Sequence, residues 1–156
     1  VAGYTAFLFG QCEGRDLWQT PLLLPTLLAQ AAVAGSSAYA LLDLVIDVPE
    51  QDAVVIVMLI GLGSLGGLIA TELWSHPSRS VELAVLEMTK GAYAGRFWLG
   101  GVLAGIVIPL ILAAIALASS GDATTALAAL AGLSALIGLF SYEDAYVRAG
   151  QSVPLS

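Results

Sequence analysis

Residues 53–74 read AVVIVMLIGLGSLGGLIATELW, and Glu72 is the only charged side chain among them. A hydrocarbon core of about 30 Å takes about 20 residues of helix, because lipid offers the backbone no hydrogen-bond partners. The stretch meets that length, so its fold is a transmembrane helix. Three further stretches of similar length and character follow from the same reading, at residues 22–42, 96–119 and 124–142. A fifth, residues 1–10, is apolar but only about half as long as a crossing needs. The expected fold is all-α, a polytopic transmembrane helix bundle with four complete spans plus one truncated N-terminal span. Residues 1–156 form a single integral membrane domain in this reading.

The opening residues have no initiator Met, no basic region and no small-residue cleavage site, so they do not read as a signal peptide. They read as the tail of a helix. The chain is therefore expected to be the C-terminal portion of a longer membrane protein whose N-terminal helices precede it.

Composition agrees with the lipid setting. Hydrophobic residues make up 58% of the 156 and charged residues only 11%, with a mean hydropathy of +0.90; a soluble domain of this size carries about 25% charged residues. Twelve acidic against five basic side chains give a net charge of −7. Nucleic-acid binding rests on Lys and Arg neutralising phosphates, and five such residues exclude it as a function. The single cysteine, Cys12, excludes an internal disulfide and any cysteine-ligated cluster or zinc site held by this chain alone. One histidine, His76, cannot supply both axial ligands of a bis-histidine haem. No haem and no metal is expected on this chain.

The cations set an orientation, since short loops rich in Lys and Arg stay cytoplasmic. Arg15 lies in loop 11–20, Arg79, Lys90 and Arg96 in segment 75–96, and Arg148 in the C-terminal tail. All fall on one side, which is expected to be cytoplasmic; loops 43–52 and 120–122 carry only acids and are expected outside. Between the second and third spans, Arg79, Glu82, Glu87 and Lys90 project within ~140° of one another on a helix of 3.6 residues per turn. An interfacial helix with Arg79/Glu82 and Glu87/Lys90 pairs at i,i+3 spacing accounts for this, and the alternative turns Glu87 inward toward a proton path.

Gly61-Leu62-Gly63-Ser64-Leu65-Gly66 matches the G-x-G-x-x-G string of dinucleotide-binding folds. That fingerprint needs a preceding strand and a soluble ligand at a helix N-terminus, and here it lies within an apolar span. Gly63/Gly67 and Gly101/Gly105 instead give the small-residue spacing that lets membrane helices approach closely. Pro25 and Pro109 lie within spans, where each removes a backbone donor and can kink its helix; carbonyls freed near Pro109 are an alternative lining for a polar cavity.

Ionisable groups at membrane depth are costly and so mark function by default. Glu72 stands two residues before the end of its span, and His76 follows four residues later on the same helical face. A carboxylate and an imidazole in that relation can exchange a proton. Glu72, His76 and Glu87 are the candidate proton relay. Asp43 and Asp47, also at i,i+4 but at the opposite end of the bundle, could accept protons from a substrate; the plainer reading of each acid is a hydrated helix end. Arg15 and Asp16 beside Trp18 read as a surface ion pair next to an interfacial aromatic anchor.

Several segments taken in order carry a resemblance: Gly3-Tyr4-Thr5-Ala6-Phe7-Leu8, Gly14-Arg15-Asp16-Leu17-Trp18, residues 72–76, Gly91, Phe97-Trp98-Leu99-Gly100 leading to Gly105 and Pro109, and the closing Ala149-Gly150-Gln151-Ser152-Val153-Pro154-Leu155-Ser156. Together they resemble the C-terminal half of the NrfD/polysulfide reductase membrane-subunit family. The resemblance implies a haem-free membrane subunit of a respiratory oxidoreductase in a prokaryotic cell membrane, not catalytic alone. It implies electron exchange between membrane quinone or quinol (menaquinone or ubiquinone) and a ferredoxin-like iron-sulfur partner. That partner in turn serves a molybdopterin catalytic subunit. It further implies that the partner docks on the outer face, and that the quinone pocket draws largely on N-terminal helices. Quinol oxidation releases two protons and two electrons, so a base near each hydroxyl is required. The competing functions are a secondary transporter or channel half, suggested by Pro109 and the intramembrane carboxylates, and a passive membrane anchor.

Overall fold

The computed structural model describes residues 2–47, 49–75 and 78–153. Among these the chain forms α1 (Ala2–Gly10), a 3-10 turn (Asp16–Gln19), α2 (Leu23–Leu42), α3 (Gln51–Trp74), α4 (Arg79–Thr89), a π-helical segment (Arg96–Val107) continuing into α5 (Ile108–Leu117), and α6 (Asp122–Ser152). No strand occurs among the described residues. The all-α bundle expected from the sequence is what forms.

Three helical bodies are both long and apolar enough to cross a membrane: Gln51–Trp74, Arg96–Leu117 and Asp122–Ser152. The sequence reading counted four complete spans. The difference is α2, whose 20 residues reach about 30 Å as helix but whose buried face carries Thr26, Gln30, Ser36 and Ser37. Those polar groups lower its hydropathy without shortening it. The last helix differs in the other direction. It was expected to end at residue 142 and runs on to Ser152, because Ala145, Tyr146, Ala149 and Gly150 continue its buried face and the Arg148 guanidinium bonds Asp144 one turn back at 2.6 Å.

Helix α6 is the hub, packing most extensively on the π-helical segment, α2 and α5. Close backbone approach makes this possible. A Cβ on Gly138 would fall on the backbone of Gly105, and one on Gly132 would come within 2.9 Å of the Ser37 carbonyl. Glycine is therefore required at both crossings. Gly101 lies on the same face, where a Cβ would stand 3.1 Å from Tyr142. The expected Gly101/Gly105 packing motif thus operates, against α6. Gly63 and Gly67 do not share that role: both are exposed with open space where a Cβ would go, and it is Gly61 of α3 that packs, on Val33 of α2.

The two prolines differ in their consequences. Pro25 falls in the first turn of α2, where a missing N–H leaves no intrahelical bond unmade. Pro109 sits where the π-helical segment passes into α5. Just before it, the Ile108 N–H bonds the Leu103 carbonyl five residues back; in the same register residue 109 would bond Ala104, and proline cannot. The Ser134 hydroxyl of α6 donates to that Ala104 carbonyl instead, at 2.6 Å. The carbonyl that Pro109 leaves free therefore joins two helices.

Chain direction gathers the basic residues at one end. There Arg15 donates to the Gly150, Gln151 and Val153 carbonyls at 2.8, 3.0 and 2.8 Å, closing the C-terminus of α6. Arg96 and Arg148 both pair with Asp144. Asp16 accepts from Ser78 and Ser80 at 2.7 and 2.6 Å, and the Ser78 hydroxyl caps α4 through the Val81 N–H. Arg15 and Asp16 thus fasten three elements, where the sequence suggested a surface pair. Helix α4 buries Val81, Ala84, Val85 and Met88, the spacing of a helix lying on a surface. Its Arg79–Glu82 pair forms at 3.8 Å and, being exposed, contributes little. Glu87 accepts the Ala92 N–H at 3.1 Å.

The outward faces are apolar. Ile60, Leu99, Ile111 and Phe140 are more than half exposed, a surface that water would penalise and acyl chains accept.

Candidate functional site: a buried glutamate under two tyrosines

Glu72 enters the bundle near the basic end of α3 and is 6% exposed. An uncompensated carboxylate in such a place is costly, and α6 supplies the compensation. Tyr142 and Tyr146, four residues apart, lie on one face of α6 with their rings stacked at 5.8 Å. Each hydroxyl stands 3.4 Å from a different Glu72 oxygen, Tyr142 from Oε2 and Tyr146 from Oε1. Phe97 of the π-helical segment, fully buried, tilts against Tyr142 at 6.2 Å and holds the pair in place.

Tyr146 also donates to the Leu17 carbonyl at 2.7 Å. A phenol has one hydrogen, and the shorter contact takes it. The Tyr146–Glu72 approach then lacks a hydrogen of its own, and a protonated Glu72 would supply one. The arrangement suits a carboxyl that can carry a proton.

Beside Glu72 lies a small cavity with room for the centre of one water, about 10 Å³. Its walls come from four helices: Phe9 of α1, Thr26 and Gln30 of α2, Glu72 of α3, and Tyr142, Glu143 and Tyr146 of α6. Gln30 is 8% exposed, and its Nε2 has no hydrogen-bond partner among the described residues. Glu143 is partly buried and lies beside Gln30. Gln30 and Glu143 also border an outward groove of about 280 Å³ between α2 and α6, with Leu27, Ala31, Ala34 and Leu139.

The residues singled out in the sequence divide accordingly. Glu72 is at the centre of the site. His76 lies outside the described residues, so its place relative to Glu72 is not part of this geometry. Glu87 does not line the cavity and holds the turn after α4. Asp43 and Asp47 are at the other end of the bundle: Asp43 Oδ2 accepts from Gln51 at 2.6 Å and from Thr125 at 3.1 Å, tying α2 to α3 and α6, and Asp47 is exposed. Gln30, Tyr142, Glu143 and Tyr146 were missed. The i,i+4 tyrosine spacing is a usable signal, but Glu143 and Tyr146 lie beyond residue 142, where the expected span ends.

A further groove, about 420 Å³, runs between α2 and α3 toward the acidic end. Its walls are apolar at Ala32, Gly35, Val54 and Val57, with Tyr39 and Glu50 as polar groups.

Comparison with curated proteins and with solved structures finds no match. A family model does match, that of polysulphide reductase, NrfD, over residues 1–154. Members of this family are membrane subunits of oxidoreductase complexes that interact with quinones. With apolar helices of membrane-crossing length and a match over nearly its whole length, this chain belongs to the NrfD polysulphide reductase family.

Proposed function

We propose that the chain exchanges electrons between membrane quinol and an iron-sulfur partner subunit, which passes them to a molybdopterin catalytic subunit, and that Glu72 is its proton-handling group. The observation that carries the proton role is the burial of Glu72 inside the bundle, with two tyrosine hydroxyls at 3.4 Å and a water-sized cavity beside it. Oxidising a quinol yields two electrons and two protons, and an iron-sulfur cluster takes only electrons. The membrane subunit must therefore accept protons, through side chains placed where water is scarce.

Family membership supports the quinone part, and so does the groove between α2 and α3: apolar walls with a few polar groups at one end suit a ring with oxygen at its edges. Asp43 and Asp47 at that end are the proposed proton acceptors on the quinone side. From Glu72 the proposed relay runs to the basic end by way of His76, with Glu87 as its outermost carboxylate. The basic end faces the cytoplasm and the acidic loops face outward, toward the iron-sulfur partner. Transport through the bundle has less support, since the carbonyl freed by Pro109 is bonded to Ser134.

Purification of the native assembly in mild detergent tests the reading. We expect co-purifying iron-sulfur and molybdopterin subunits, with iron, molybdenum and quinone in the same sample. A chain that purifies alone, without quinone, contradicts it.

A further inference from the structure

We propose that the cavity beside Glu72 holds one ordered water that bridges Glu72 and Glu143, and that this bridge carries a proton between the buried carboxyl and the groove on the α2/α6 face. The proposal deepens the proton-handling role given above to Glu72 and rests on it for its physiological meaning, but the water site stands on separate observations.

The first is Gln30. Its side chain is more than nine-tenths buried and lines the cavity, and its Nε2, next to the Glu143 carboxyl, makes no hydrogen bond of ordinary geometry among the described residues. A buried amide donor left without an acceptor is costly, and native interiors satisfy such groups with protein or with water. The second is size and polarity. The space of about 10 Å³ is close to what one water needs, and a water is held where it finds two to four polar partners. Gln30, Glu72 and Glu143 supply a donor and two acceptors from three positions around it, with Thr26, Tyr142 and Tyr146 beside them and Phe9, Leu23 and Leu27 as the apolar part of the wall. An apolar cavity of this size would stay dry; this one has polar groups on α2, α3 and α6.

The third observation is continuity. Leu27, Gln30 and Glu143 border both the internal cavity and the outward groove. Glu143 is thus the member of the pair that meets the groove, and Glu72 the member enclosed by tyrosines. Two negative charges around one small enclosure removed from bulk water repel strongly, so a single proton shared between them is the favourable arrangement. Transfer is a balanced exchange. The O–H bond of Glu72 breaks as the water accepts that proton, and the water gives one of its own hydrogens to Glu143. No electrons move.

A structure of the intact complex at a resolution that reveals ordered water is the test. We expect one water within hydrogen-bond distance of Gln30 Nε2 and both carboxyls, and its loss in Gln30→Leu, which keeps the bulk and removes the amide. A dry cavity overturns the proposal. Infrared spectra of the same complex provide an independent readout. Glu143→Gln shifts the C=O stretch of the protonated Glu72 carboxyl, and an unshifted band overturns the bridge. Where Glu143→Gln does not assemble, Gln30→Leu gives the same reading. If Glu72→Gln leaves turnover intact while the water and the band shift are present, the relay role fails and the water site stands. If turnover falls but the cavity is dry, the reverse holds.

Discussion

Ser134 donates its hydroxyl hydrogen to the Ala104 carbonyl at 2.6 Å, at the position whose helical partner Pro109 cannot provide. A proline inside a membrane helix is tolerated when a neighbouring hydroxyl takes up the freed carbonyl, and here that hydroxyl comes from another helix. Ser134→Ala is expected to lower the stability of the detergent-solubilised complex by about 0.6 kcal/mol, the average worth of a hydrogen bond between membrane helices. Thermal unfolding measures it, with Ser141→Ala as the control because the Ser141 hydroxyl bonds within its own helix, to the Ile137 carbonyl.

Glycines of the spanning helices are expected to separate sharply. Gly138→Ala places a methyl on the Gly105 backbone, and overpacking of that kind costs about 1–3 kcal/mol or more. Gly63→Ala meets nothing within 4 Å and leaves this chain's own fold undisturbed. Yield and melting temperature of the two variants check this; equal effects would mean that α6 and the π-helical segment do not meet as described.

Arg15 closes the C-terminus of α6 through three carbonyls. Its replacement by Gln removes a charged donor that reaches across the fold, and hydrogen bonds to charged groups are worth about 1.5–3 kcal/mol each at most. We expect the last turn of α6 to become susceptible to limited proteolysis in Arg15→Gln, with the rest of the bundle protected.

How much of this was legible beforehand follows from what each signal measures. Hydropathy found the spanning helices because lipid demands it of every residue on the outward face. It lost the last ten residues of α6, where Glu143, Asp144 and Arg148 interrupt the apolar run although Tyr146 and Ala149 continue the buried stripe. Glu72 stood out as a lone charge in an apolar span, whereas its partners are ordinary tyrosines that acquire meaning only once α6 is laid against α3. Glycine spacing identified which residues could pack, but Gly63/Gly67 and Gly101/Gly105 look alike in one dimension. Arg15 and Asp16, adjacent in sequence, reach the ends of two different helices, a division that only the tertiary fold creates.

Orientation can be tested directly. Asp47 is exposed at the acidic end, so Asp47→Cys in a Cys12→Ser background is expected to react with a membrane-impermeant maleimide added from outside intact cells. Labelling only after the cytoplasmic face is opened would reverse the proposed topology.

Glu72 is the group proposed to handle the protons of quinol oxidation. Glu72→Gln keeps the shape and one hydrogen-bonding oxygen while removing the ability to give up a proton. In purified complex with unchanged subunit composition, we predict that quinol-dependent turnover falls by about 100-fold, the lower range for loss of a positioned acid or base, and that Glu72→Asp recovers part of it. Turnover in Glu72→Gln equal to that of the unaltered complex would contradict the claim.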